Sequence, residues 1–321
     1  MNFPVFDLHC DTLSRLLGRN MDSFGSLLDN DCHISLKRAE KLPGYAQCFA
    51  CFTTDLWEDK SPVSAVQSFE RQIVQFQREM NNHPNEIAMA YSAADVEKNY
   101  QKGLISGILT IEGPAGFGFD PELLGDLALA GFRMTSLGWN EKNALTGSNV
   151  TGGGLTDLGR AYVKEAQNQG MIVDVSHISD EGFWDIMEIT DKPVVASHSN
   201  SRAVHNHSRN LTDEMFQALC QTGGVAGINL YAAFLGENAN IDTVCDHIFH
   251  YLELDPSGKH IALGGDLDGC DEMPRGFDGI QSYPAMAERL LQRGVSAQTL
   301  EDIFWNNALG VMKRALYNHT R

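Results

Sequence analysis

Eight short apolar runs recur along the chain: 5–9 (VFDLH), 45–52 (YAQCFACF), 106–112 (SGILTIE), 132–138 (FRMTSLG), 171–176 (MIVDVS), 193–198 (PVVASH), 224–229 (GVAGIN) and 260–266 (HIALGGD). Runs of this length and content read as strands. Between most of them lie longer segments with helical periodicity, at 64–81, 121–130, 156–169, 180–190, 212–221 and 241–253. Several open on a cap-like Ser, Thr or Asp, and Gln169-Gly170 is a helix stop leading straight into the fifth run. The runs are continuously apolar rather than alternating, which suits a parallel sheet buried on both faces. Eight strands alternating with helices predict an α/β fold, a (β/α)8 TIM barrel. Residues 299–316 predict one or two closing helices. No linker, repeat or low-complexity stretch divides residues 1–321, so a single domain is expected.

Composition narrows the function. A 43% hydrophobic content over 321 residues is ample for a full core. The formal charge of -18, from 42 acidic against 24 basic residues, repels phosphate backbones, which argues against nucleic acid as a partner. There is no 18-residue apolar run and no leader pattern, so a soluble, cytoplasmic protein without a membrane partner is expected. Seven cysteines are odd in number and scattered, as reduced thiols in a cytosol would be. Cys48 and Cys51 form a CxxC without a second pair, and they read as core thiols.

The polar residues on the strands carry the chemistry. His9 and Asp11 close the first run, Glu112 the third, His177 follows the fifth, His198 ends the sixth and Asp266 the eighth. Alternation along a strand points His9 and Asp11 to one face. All six lie at carboxyl ends, which in a barrel converge on one rim. Three imidazoles and several carboxylates in one pocket need each other or a cation. Imidazole and carboxylate without thiolate fit zinc, and five ligands exceed what one catalytic zinc takes. Two zinc ions sharing a carboxylate fit the count, with Glu112, followed by Gly113, as the natural bridge. Such a pair would present hydroxide near neutral pH and polarise a scissile carbonyl.

The segments FDLHCDT, TIEGPAGFG, GGLTDLGRAYVKEAQNQGMIVDVSH, PVVASHSNSRAVHNHSRNLTDE and LGGDLDG occur in that order across almost the whole chain. Together they resemble the membrane dipeptidase (renal dipeptidase) family of zinc peptidases, in the manner of a soluble microbial-type member. The resemblance implies that His9 and Asp11 hold one zinc, His177 and His198 the other, and Glu112 both. It also implies Asp266 as the catalytic acid/base and Arg209 as the anchor for the substrate's terminal carboxylate. A planar guanidinium fork suits that anchoring role. The chain departs from the family where mammalian members carry a histidine after the fourth strand, because Trp139 stands here, with one donor and no acid/base function. Asn140 or Asn143 could supply a donor, and Tyr231 could line the pocket.

The expected activity is hydrolysis of short peptides, dipeptides and L,D-dipeptides among them, with a small peptide as the partner and a homodimer left open. A related barrel amidohydrolase acting on an N-acyl amino acid, cyclic amide or lactone is the alternative, and a non-catalytic metal-binding protein a third reading. Asp266 argues against the last, since a structural site needs no extra acid/base. Of the other histidines, His205 and His207 read as solvated or pocket-lining, and His247 and His250 as facing outward or packing on a helix. His33, His83, His260 and His319 show no partner pattern.

Overall fold

The computed structural model describes residues 3–18, 21–57 and 63–315. Eight parallel strands form its centre: β1 (Val5–Cys10), β2 (Tyr45–Phe52), β3 (Ile105–Glu112), β4 (Phe132–Ser136), β5 (Ile172–Asp174), β6 (Val194–Val195), β7 (Ala226–Ile228) and β8 (Ile261–Leu263). Each pairs with its neighbours in chain order, and β8 pairs with β1. The circle closes between β6 and β7 through the parallel bridge Ala196–Ala226. The expected (β/α)8 barrel is therefore present. Helices Ala65–Asn82, Asp157–Asn168, Asp180–Ile189, Asp213–Gln221 and Ile241–Leu254 lie within one residue of the segments read from periodicity. Ser64, Thr156, Ser179 and Thr212 each accept the first-turn amide three residues on, a contribution of about 1 kcal/mol per cap.

Two apolar layers follow from strand alternation. Phe6, Leu8, Cys48, Ile108, Met134, Ile172, Val195 and Ala262 fill the barrel interior together with Trp305, Leu309 and Met312, which plug its amino end. Val5, Cys10, Phe49, Cys51, Leu109 and Ile111 face the surrounding helices. Cys48 and Cys51 thus point to opposite sides of β2, as free core thiols. The closing segment is Ala297–Glu301, a π-helical turn Asp302–Asn306 and Asn307–Ala315. Besides helical turns of three to five residues, three elements lie outside the reading from sequence: the edge strand Ile87–Met89 and helices Ala93–Gln101 and Tyr283–Gln292. Among the described residues no helix is long and apolar enough to cross a membrane.

β5 and β6 are shorter than their apolar runs because a side chain takes over the ladder. Asp174 Oδ1 accepts from the amides of Ser176 and Ser197, both at 2.9 Å. Between β5 and β6 the rim of the barrel is therefore held by buried polar contacts rather than by sheet pairing. Backbones also approach closely there: a methyl on Gly264 would lie 1.6 Å from the Ser197 carbonyl oxygen. Gly264→Ala is expected to cost about 3 kcal/mol through overpacking, read as a lowered urea midpoint with unchanged slope.

Candidate metal centre and substrate pocket

β1 delivers its ligands through a bulge. Its register with β2 shifts between Asp7 and Cys10, so one extra residue changes the facing of everything after it. Asp7 packs outward, where its carboxylate takes the Tyr283 hydroxyl and the Gly265 amide. His9 and Asp11 turn into the barrel mouth, and Asp11 lies past the strand, at the start of the short helix Thr12–Leu16. On β3, plain alternation puts Ile108 and Glu112 on the interior side.

The six residues expected at the rim meet there, all buried. Glu112 lies between two groups: its Oε1 is 2.9 Å from His177 Nε2 and 3.8 Å from His198 Nε2, while its Oε2 is 3.3 Å from His9 Nε2. His9 Nε2 also lies 3.5 Å from Asp11 Oδ2 and 4.0 Å from Asp266 Oδ1. Gly269 makes room for this convergence, since a methyl there would lie 2.3 Å from Asp11 Oδ2 and 2.4 Å from Asp266 Oδ1. His177 and Asp266 adopt φ of 73° and 54°, a backbone conformation that few non-glycine residues take and that active sites retain.

The hydrogen-bond chemistry of these side chains suits a cation. Ser197 Oγ donates to Asp174 Oδ2 at 2.5 Å, so it accepts from His198 Nδ1 at 2.7 Å. His177 Nδ1 donates to Asn140 Oδ1 at 3.1 Å. Both rings are thereby left with a lone pair on Nε2, and these two nitrogens face each other 2.9 Å apart. That is the arrangement in which outer hydrogen bonds prepare an imidazole for a metal. His9 Nε2 and Asp11 Oδ1 are buried with no hydrogen-bond partner, an expensive state unless an ion takes them up. The donor set therefore fits divalent metal ions.

Electrostatics agree for His177 and His198, and act in the opposite sense on His9. Burial, then Arg209 and His9, pushes His177 well below the ordinary imidazole range, and burial, then His9 and Arg209, does the same to His198. Burial works against charge on His9, but Glu112 and Asp11 outweigh it and hold the ring well above that range. Burial and the neighbouring Asp11 push Glu112 up to about 8. Asp266 is raised chiefly by burial, with Asp11 adding and His9 and Arg209 opposing.

Arg209 is buried beside this group. It donates to Ser199 Oγ and to the His198 carbonyl, each at 3.2 Å, and its Nε has no partner. Its guanidinium lies 5.4 Å from the Phe234 ring, and no carboxylate of the described residues forms an ion pair with it. Trp139 is half-buried, edge-on to Phe52 and 6.2 Å from the His177 ring. Tyr231 lines a neighbouring cleft of about 370 Å³ with Asp271, Glu272 and Arg275. Asn143 is committed to its own loop, through the Leu137 carbonyl and the Leu145 and Thr146 amides, which leaves Asn140 as the residue that reaches the site.

Three contributors escaped the sequence reading. Asn229 donates to Asp266 Oδ2 at 3.1 Å. Asp174 orients His198 through Ser197. Asp268 takes the His33 amide and the Thr12 hydroxyl, each at 2.6 Å, and so pins the loop that carries Asp266. A carboxylate inside an apolar run, as in MIVDVS, was the available signal for Asp174; Asn229 and Asp268 look like ordinary turn residues. His33 has a partner after all, and His83 pairs with Glu79. His247 packs, fully buried, between the Ser201 amide and the Leu235 carbonyl. His250 meets Asp213, His207 accepts from the Arg209 amide, and His319 lies outside the described residues.

The profile of the family described as membrane dipeptidase (Peptidase family M19) matches residues 1–320. An uncharacterized dipeptidase of Schizosaccharomyces pombe is 33% identical over 264 residues, covering 80% of this chain and 64% of its own. A dipeptidase of Aspergillus oryzae, aclJ, is 34% identical over 252 residues, 75% of this chain and 60% of its own. The chain thus spans about three-fifths of the length of these two relatives. Among solved structures, a dipeptidase described as a metallo peptidase of family M19 superposes with a TM-score of 0.86 at 25% identity, covering 98% of this chain and 99% of its own. A Rhodobacter sphaeroides metallo peptidase, liganded with a phosphinate mimic of L-Ala-D-Ala, has the same fold, with a TM-score of 0.88 at 24% identity over 98% of this chain and all of its own. With a matching profile from end to end and the rim residues gathered at one mouth, the chain belongs to the membrane dipeptidase family, peptidase family M19.

Proposed function

We propose that the chain is a dipeptidase that hydrolyses short peptides bearing a free terminal carboxylate, at a centre of two zinc ions. His9 and Asp11 would hold one ion, His177 and His198 the other, and Glu112 both. The observation that carries this reading is the division of Glu112, one oxygen toward the His177–His198 pair and the other toward His9. When bound, such ions supply Lewis acidity and make a nearby water more acidic. The chain's own groups do the rest. Arg209, walled in and without a carboxylate of its own, binds the substrate's terminal carboxylate through its fork. Asp266, held by Asn229 and within reach of the same mouth, takes a proton and returns it to the departing amine. Trp139 and Tyr231 stand where the substrate's side chains would lie, and a tryptophan in place of the family histidine leaves that side without a proton carrier.

Metal analysis of the purified chain tests the centre: two rim ions per chain are expected, and a rim that never takes up more than one ion under added zinc rules out a shared Glu112. A panel of L,L- and L,D-dipeptides tests the substrate class, with N-acyl amino acids and lactones as comparators. Faster turnover of the comparators would transfer the site to the amidohydrolase reading.

A further inference from the structure

At the opposite end of the barrel, three side chains from separate elements meet. Cys220 is in the last turn of helix Asp213–Gln221, Asp255 caps the end of helix Ile241–Leu254, and His260 immediately precedes β8. Their ligand atoms lie within 4.8 Å of one another, and all three residues are half-buried. We propose that Cys220, Asp255 and His260 form a further zinc site, distinct in chemistry from the rim because it contains a thiolate.

Two of the three donors are already oriented. His260 Nδ1 donates to the Gly224 carbonyl at 2.7 Å, which fixes the tautomer and leaves Nε2 as the nitrogen with a free lone pair. Asp255 is held on both oxygens: Oδ1 accepts from the Ser257 amide at 3.1 Å and hydroxyl at 2.6 Å, and Oδ2 from the His260 amide at 3.2 Å. The backbone beneath is also fixed, since Gly223 donates to the Cys220 carbonyl and Ala226 to that of His260, both at 2.9 Å. A tetrahedral zinc with bonds of about 2.0–2.3 Å sets its ligands roughly 3.5 Å apart. Rotation of the cysteine side chain, the one donor not yet oriented, closes the remaining gap. One thiolate, one imidazole and one carboxylate fill three positions, and half-burial leaves the fourth to water. A sulfur ligand favours zinc or cobalt over calcium or magnesium. Conserving the barrel's shape is the ordinary use of its amino end, and an ion here would tie two outer helices to the start of the last strand.

Cobalt(II) added to the full-length chain is the probe. Thiolate ligation produces a near-ultraviolet charge-transfer absorption that imidazole and carboxylate ligands do not. The wild type is expected to show it and to hold one more ion per chain than Cys220→Ser, with peptide hydrolysis unchanged in the variant. His260→Gln, checked for native circular dichroism, is expected to lose the same ion and the same band. Equal metal content in wild type and both variants, without the band, overturns the proposal. Because the band reports sulfur ligation alone, this result is independent of how many ions the rim holds.

Discussion

Asp266→Asn is expected to lower turnover of a dipeptide by about two to four orders of magnitude while leaving metal content at the wild-type level, the loss typical of a positioned acid/base group. The substitution is nearly isosteric, and asparagine tolerates the left-handed backbone that Asp266 adopts at φ 54°. The amide still offers an oxygen to Asn229, whose Nδ2 lies 3.1 Å from Oδ2, but it cannot accept and release a proton. Kinetics with metal analysis of the same sample separates the roles. Asp266 also lies within ligand distance of His9 and Asp11, so loss of metal in the variant would make it a ligand instead.

Arg209→Ala should weaken use of a free dipeptide by about 2–5 kcal/mol in kcat/KM, the cost of removing one partner from a buried charge pair. The same change should scarcely alter hydrolysis of the corresponding dipeptide amide, which presents no carboxylate to the guanidinium. Arg209→Lys should restore only part of the loss, because a point charge does not reproduce the fork. An equal loss on both substrates would mean that Arg209 supports its loop, through Ser199 and the His198 carbonyl, rather than the substrate.

The barrel was legible because its strands are apolar on both faces and its helices carry caps, both local properties. Helix Ala93–Gln101 was not, since its segment AADVEKNYQ buries only Ala93, Val96 and Asn99, too few apolar positions to register as a stripe. The rim residues were legible because each is a polar group where an apolar strand ends. Alternation alone does not account for β1, however. Strict alternation would place Asp7 with His9, and the bulge is what parts them, a feature of pairing that a single strand's sequence does not contain. Asn229 and Asp268 escaped for a related cause: they act through contacts with residues 37 to 256 positions away, which no local pattern encodes.

The Asp7 contact also bears on when the protein becomes competent. The carboxylate of Asp7 fastens the first strand to the amide of Gly265, 258 residues later in the chain, and to the Tyr283 hydroxyl beyond it. During synthesis, His9 and Asp11 leave the ribosome long before Gly265 and Tyr283, without which this seam cannot be made. Contacts of such sequence separation form late, after the loop-closure entropy between them has been overcome. Assembly of the mouth therefore waits for residue 265, and any fragment released before it carries His9 and Asp11 without the joint that sets their direction.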